Sequence, residues 1–306
     1  MGKASGEKQL RNEGEKRDIS ASPKTAGFPR PVLFAWDTTT GSNGIGKAMV
    51  VLALIILLAL GIAVFKRNST WKDELTLWKD VVKNSAYKAR GHNNLGLVYD
   101  ELDRVDEAIE EYQKAIRLKS DYAPPQNNLG TVYYELGRVD EAIEEYQKAI
   151  RLKSDYAPPQ NNLGTVYYEL GRVDEAVEEY QKAIRLKSDY AGAHNNLGLA
   201  YDKLGRADEA IKEYQKAIRL ESDYADAHNN LGLAYGKLGR MDEAIEEFQK
   251  AIRLSPGLWQ AYYNLGLAYE KKGLKEEALK EYEEALKIKP DFTEAPPALD
   301  RLRVKP

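Results

Sequence analysis

The sequence predicts an all-α fold, a stack of antiparallel helix pairs preceded by one transmembrane helix. Three observations predict it. Between residues 89 and 292 the chain writes a 34-residue unit six times, and a fixed period in the 30s marks a helical repeat array rather than a globule. Within each unit the apolar residues recur at helical spacing on both sides of a short turn. Ahead of the repeats, Ala48 to Phe65 is an unbroken apolar run bracketed by Lys47 and by Lys66-Arg67.

Residues 1–30 mix Lys, Arg, Glu, Gly and Ser with almost no aliphatic content, so segment 1–47 is expected to be a disordered tail. Gly41-Ser42-Asn43-Gly44-Ile45-Gly46-Lys47 has the spacing of a phosphate-binding loop. Ala48, however, stands where a Ser or Thr hydroxyl would meet Mg²⁺, and the helix that follows is wholly apolar. A flexible lead into that helix is the better reading, and no cofactor is implied. The run 48–65 is at the short end of what crosses a hydrocarbon core of ~30 Å at 1.5 Å per residue. It starts too far into the chain, and is too long, for the core of a cleaved signal peptide. Lysines and arginines stand on both sides of it: those following it (Lys66, Arg67, Lys72, Lys79, Lys83) favour a cytoplasmic array by the positive-inside rule.

Segment 71–88 carries apolar residues at 71, 75, 78 and 82, a helical stripe, and Trp78 lies one repeat length before Tyr112. It reads as the second helix of an incomplete repeat that covers the apolar end of the array. The six full repeats follow at 89–122, 123–156, 157–190, 191–224, 225–258 and 259–292. Counting each from its opening residue, position 7 is always Leu, 8 always Gly, 11 always Tyr, 20 and 27 always Ala, and 24 Tyr or Phe. Gly137, Gly171, Gly205, Gly239 and Gly273 stand at helix ends that want positive φ. Pro124-Pro125 and Pro158-Pro159 fall in first turns, where a missing N–H costs little. Positions 4, 7, 8 and 11 make one stripe of the first helix, with Gly130 and Ala142 allowing close approach of its partner. Segment 293–306 opens like a seventh repeat and reads as a polar capping helix and tail.

This Leu-Gly-x-x-Tyr…Ala-x-x-x-Tyr/Phe-x-x-Ala…Pro pattern, with Pro256 and Pro290 in the terminal position, resembles the tetratricopeptide repeat. The resemblance implies a right-handed superhelix whose first helices line a concave side. It also implies a non-enzymatic scaffold for a protein or peptide partner. Separately, the junction Arg67-Asn68, Trp71–Trp78 and His92–Gly96 resembles the C-terminal part of polytopic glycosyltransferase-like membrane proteins that carry such repeats. Those enzymes need many spans and acidic loop residues, none of which is present here. The second reading is therefore an accessory or truncated remnant that keeps only the repeat domain. The same kinship favours the extracytoplasmic side of the membrane for the repeats, against the charge count.

The expected peptide-binding groove starts from position 6, which points away from the packed stripe and is Asn in every copy: Asn94, Asn128, Asn162, Asn196, Asn230 and Asn264. An amide both donates and accepts, so a ladder of them can pair with the backbone of an extended peptide. Position 13, on the same face, carries Glu101, Glu135 and Glu169, then Lys203, Lys237 and Lys271. Such a face favours a ligand with its basic part toward the first repeats and its acidic part toward the last. Tyr134 and Tyr168 at position 12 add apolar contact. The carboxylate clamp of chaperone-binding members is not met, since position 6 is never the required Lys or Arg. Chaperone C-terminal motifs are therefore disfavoured.

Several chemistries are not expected. His92, His194 and His228 all occupy position 4 and read as packing histidines, with no catalytic or metal role, because no second ligand recurs beside them. Glu110–Lys114, Glu144–Lys148 and Glu178–Lys182 pairs read as a solvated outer face. The 306 residues are 30% charged with a net charge of −3, without the basic surplus of a nucleic-acid binder, and contain no cysteine for disulfides, thiolate metal sites or nucleophilic catalysis.

Overall fold

A computed structural model describes residues 44–292, with side chains over 49–65 and 71–292. The expected capping helix at 293–306 and all but the end of the expected tail lie outside the described residues. Among those residues the chain is all-α, with fourteen helices and no strand. They divide between two compact units, one ending at Arg138 and the other beginning at Val139.

The first unit holds α1 (Gly44–Thr70), α2 (Glu74–Asn84), α3 (Ala89–Glu101), α4 (Val105–Leu118) and α5 (Ala123–Glu135). Along α1 the large apolar side chains between Met49 and Phe65 are all exposed, Leu58 at 66% and Phe65 at 74%. No helix is long and apolar enough to cross a membrane when the described residues alone are counted. Ala48, which opens the expected span, is not among the described side chains. Helix α2 starts at a capping box: Asp73 Oδ1 accepts from the Thr76 N–H at 2.8 Å, while Thr76 Oγ1 accepts from the Asp73 N–H at 3.3 Å. Its Leu75, Trp78 and Val82 pack, partly buried, against a core of Leu95, Tyr99, Ala108, Tyr112, Leu129 and Val132. The half repeat therefore supplies apolar cover to the first full one.

The second unit runs α6 (Val139–Leu152), α7 (Ala157–Glu169), α8 (Val173–Leu186), α9 (Ala191–Lys203), α10 (Ala207–Leu220), α11 (Ala225–Lys237), α12 (Met241–Leu254), α13 (Trp259–Lys271) and α14 (Lys275–Ile288). Each helix packs on the next, and first helices α7, α9, α11 and α13 also touch one another in turn. They form one layer and the second helices the other.

Two glycines of each repeat in the second unit explain this geometry. At the intra-repeat turn Gly171 has φ +76°, and Arg172 N–H reaches back to the Tyr167 carbonyl at 2.8 Å, closing the helix end. On the packed stripe, a Cβ at Gly198 would lie 2.6 Å from the Tyr214 ring, which is 1% exposed. Only a residue without a side chain admits the tyrosine there. Alanines at positions 20 and 27, such as Ala210 and Ala217, are wholly buried at the same contact.

Candidate functional site

The layer of first helices is the surface on which the expected site residues fall. Their positions 2, 6, 9 and 13 follow one another at helical spacing and share a face. Position 6 proves to be partly structural. In the second unit, Asn196 Nδ2 donates to Asn161 Oδ1 at 3.1 Å, Asn230 to Asn195 at 3.0 Å and Asn264 to Asn229 at 2.9 Å. In the first unit Asn128 donates likewise to Asn93 at 3.1 Å. Each acceptor is the position-5 Asn of the preceding repeat. Asn128, Asn162 and Asn196 are buried, while Asn94, Asn230 and Asn264 are half-buried.

The sequence reading had every one of these amides turned toward a ligand. The structure gives at least four of them an intramolecular acceptor, because α9 lies close enough to α7, and each later first helix to its predecessor, for the amides to meet. The ladder is thus a set of rungs between repeats. An amide held in this way commits one of its two N–H donors and keeps acceptor capacity.

Position 13 remains outward. Glu101, Glu169, Lys203, Lys237 and Lys271 are exposed, and Glu135 is half-buried. Two of the lysines lean on the repeat before them. Lys203 Nζ sits 4.4 Å from the Tyr168 ring centroid and donates to the Tyr168 carbonyl at 3.2 Å. Lys237 pairs with Asp202, which occupies position 12 of the preceding repeat. Tyr168 is half-buried, and burial, with Asp202 and Glu169 adding to it, holds its phenol above the ordinary value. Tyr134, in the first unit, is half-buried as well. Position 9 adds an apolar group that the sequence reading did not count: Leu199 and Leu267 are half-buried, and Leu233 is 36% exposed. Together these make a ridge of lysines with leucines one turn away.

Two further sets of contacts were missed. The first concerns the histidines. They are buried as packing residues should be, but a carboxylate does recur beside them. His92 Nδ1 lies 2.5 Å from Glu111 Oε2, His194 Nδ1 2.7 Å from Glu213 Oε2, and His228 Nδ1 2.5 Å from Glu247 Oε2. The signal was present as a 19-residue spacing in three copies. Burial pushes the Glu213 and Glu247 carboxyls up, but bonds from the histidine and from Lys216 or Lys250 outweigh it and hold both below the ordinary value. In the last repeat Tyr262 replaces the histidine and Glu284 the lysine, and burial leaves the Glu281 carboxyl raised. The outer face is therefore not wholly solvated, since Glu111, Glu145 and Glu247 are buried. No cluster able to hold a metal ion occurs among the described residues.

The second set joins position 25 to position 11 of the next repeat: Gln181 donates to the Tyr201 hydroxyl at 3.0 Å, Gln215 to Tyr235 and Gln249 to Tyr269, both at 3.1 Å. Each of these bonds ties a second helix to the first helix of the next repeat. A cavity of about 450 Å³ is lined by Ile252, Tyr262, Tyr269 and Glu281, among others.

Comparison with known proteins gives the same repeat. A family model described as a TPR repeat matches residues 96–137, 130–171, 164–205 and 203–239, and one described as a tetratricopeptide repeat matches 223–291. No curated protein matches the sequence. Among solved structures, the chain is similar to one in the crystal structure of the APC/C hetero-tetramer Cut9–Hcn1, with 26% identity and a TM-score of 0.70 over 77% of this chain and 47% of that one. It thus spans about half the length of that relative. It is also similar to YrrB, described as a TPR protein with an unusual peptide-binding site, with 28% identity and a TM-score of 0.50 over 63% of this chain and 99% of that one. PilF of Pseudomonas aeruginosa, at 19% identity, shares the fold with a TM-score of 0.63 over 70% of this chain and 97% of that one.

Proposed function

Because the chain belongs to the tetratricopeptide repeat family, we propose that it is a membrane-anchored, non-enzymatic scaffold whose first helices hold an extended peptide or a helix of a partner protein. One observation carries this reading: the outward face of α9, α11 and α13 alternates Leu199, Leu233 and Leu267 with exposed Lys203, Lys237 and Lys271. Leu199 and Leu267 pack partly buried against the core and Leu233 is exposed, so the leucines leave apolar surface beside the lysines. A ligand bearing acidic groups between apolar ones would meet both sets of side chains. The asparagine rungs support this function indirectly, since they hold neighbouring helices in register and so preorganise the ridge. The peptide-binding site named for YrrB is consistent with it.

The anchor is the apolar stretch 48–65, in which the described large side chains find no protein to pack against. The junction resemblance favours the extracytoplasmic side for the repeats. Protease added to intact spheroplasts should then degrade them, and survival until the membrane is permeabilised would reverse the topology. The groove is tested separately. A full chain carrying Lys203→Glu, Lys237→Glu and Lys271→Glu should keep its helicity and lose the partner captured by the wild type. Capture undiminished by all three reversals would remove the ridge from the binding surface.

A further inference from the structure

The half repeat fills the slot of a second helix, yet its outward positions carry different chemistry from those of the six full repeats. Trp78 of α2 aligns with Tyr112, so Lys72, Asp73, Thr76, Leu77 and Tyr87 stand at positions 18, 19, 22, 23 and 33. In the first full repeat those positions are Asp106, Glu107, Glu110, Glu111 and Asp121, all acidic. Across the full repeats position 18 is always an acid, 19 and 23 are always Glu, and 33 is Asp in all but one. The half repeat keeps only Asp73, which caps α2 together with Thr76. Packing explains neither Lys72 nor Tyr87, since both are exposed, and Leu77 is half-buried outside the core that Leu75, Trp78 and Val82 reach. Among the described residues only two aromatic side chains are exposed, Phe65 at 74% and Tyr87 at 73%, and they bracket α2.

Lysines complete the pattern. Lys72 at the entry to α2, then Lys79 and Lys83, follow one another down one side of the helix, with Thr76 between the first two. All three are exposed, and none is paired with a carboxylate among the described residues. Lys79 lies 5.6 Å from the Tyr99 ring centroid. Lys114, on the next second helix, is instead held by Glu110 and Glu111, both at 2.8 Å. The nearby Asp80 turns its oxygens to Trp71 and Asn84.

We propose that α2 and the loop after it lie against the bilayer surface and bind anionic lipid headgroups, which holds the start of the array at the membrane. The proposal rests on the reading of 48–65 as an anchor, from which α1 leads into α2 across three residues. Ammonium groups are drawn to an anionic surface, each contributing roughly a fivefold gain in attraction, and aromatic rings settle at headgroup level. Acids at positions 18, 22, 23 and 33 would be repelled by such a surface. The full repeats carry them, and the one unit next to the apolar stretch lacks them.

The chain has no cysteine, so Ala86→Cys accepts a single fluorescent label beside Tyr87, and Glu246→Cys gives a control on the outer helix of the fifth repeat. The full chain is reconstituted in phosphatidylcholine vesicles, with or without phosphatidylglycerol, that include a phosphatidylcholine bearing a nitroxide on its headgroup. With phosphatidylglycerol the label at position 86 should be quenched. Quenching should fall to the level of the control at 246 without phosphatidylglycerol. It should fall as far in a Lys72→Glu, Lys79→Glu, Lys83→Glu variant of unchanged helicity. Quenching at 86 that never exceeds the control, or that ignores both changes, would overturn the proposal. Flotation of the same samples reads the anchor separately. A chain that floats on phosphatidylcholine alone but shows no effect of phosphatidylglycerol on quenching loses the surface and keeps the anchor. A chain that floats, and is quenched, only with phosphatidylglycerol loses the anchor and supports the surface.

Discussion

At the scale of single residues, Asp103 shows what the repeat demands of its turn. Five repeats place Gly at this position with φ between 74° and 77°, and the first repeat forces Asp103 to φ 55°. A side chain in the left-handed region costs roughly 1 kcal/mol. Asp103→Gly should therefore raise stability by about that much, seen as a higher urea midpoint with an unchanged slope; a lower midpoint would mean the carboxylate contributes more than the backbone loses. The carboxylates bonded to the histidines give a pH prediction. The Glu213 and Glu247 carboxyls are held below their ordinary value of 4.5. Their stabilisation is fully present above that value and is lost as pH falls through the lowered one. Acid unfolding should persist at high salt, because these pairs are shielded from solvent, whereas the exposed Arg–Glu pairs such as Arg206–Glu209 are screened. Acid stability that vanishes in salt as fast as surface pairing would contradict this assignment.

At the scale of helices and their pairs, the close contact between position 8 and the ring at position 24 predicts the cost of disturbing it. Gly198→Val should destabilise the second unit by ~1–3 kcal/mol through overpacking against Tyr214. The same change at Gly205, where a Cβ meets nothing but φ is +75°, acts through backbone strain instead. Combining Gly198→Val with Tyr214→Leu should recover part of the first loss and none of the second, which urea melts of the four variants would show. This level of organisation was the most legible in the sequence. Leu-Gly turns, proline in first turns and alanine at positions 20 and 27 each leave a local signature that a helical wheel reads. The wheel shows which side of a helix is apolar, but not which side chain of a neighbouring helix lies opposite. Asn196 meets Asn161, and Gln181 meets Tyr201, only because two helices approach at one offset. Position 6 was accordingly read as open when it is partly committed, and the partner of each histidine was missed although its spacing recurs.

At the scale of the whole chain, a repeat array has stability close to a sum of units and of their nearest-neighbour contacts. Ala123–Tyr156 and Ala157–Tyr190 differ at one position, Ile143 against Val177, so either copy should serve for the other. Excision of residues 157–190 should leave a helical chain that still unfolds cooperatively at a lower temperature, and loss of all cooperativity would show that the copies are not equivalent units. Function is placed at this scale too, since a ridge of lysines and leucines exists only when successive first helices stand side by side. The most direct measurement is site-specific photocrosslinking of the full chain in cells, with the probe at Leu233 on the first-helix face or at Glu246 on the outer second helix. The account predicts a discrete crosslinked partner from Leu233, lost when Lys203, Lys237 and Lys271 are reversed to Glu, and none from Glu246. A partner trapped from Glu246 and not from Leu233 would contradict it.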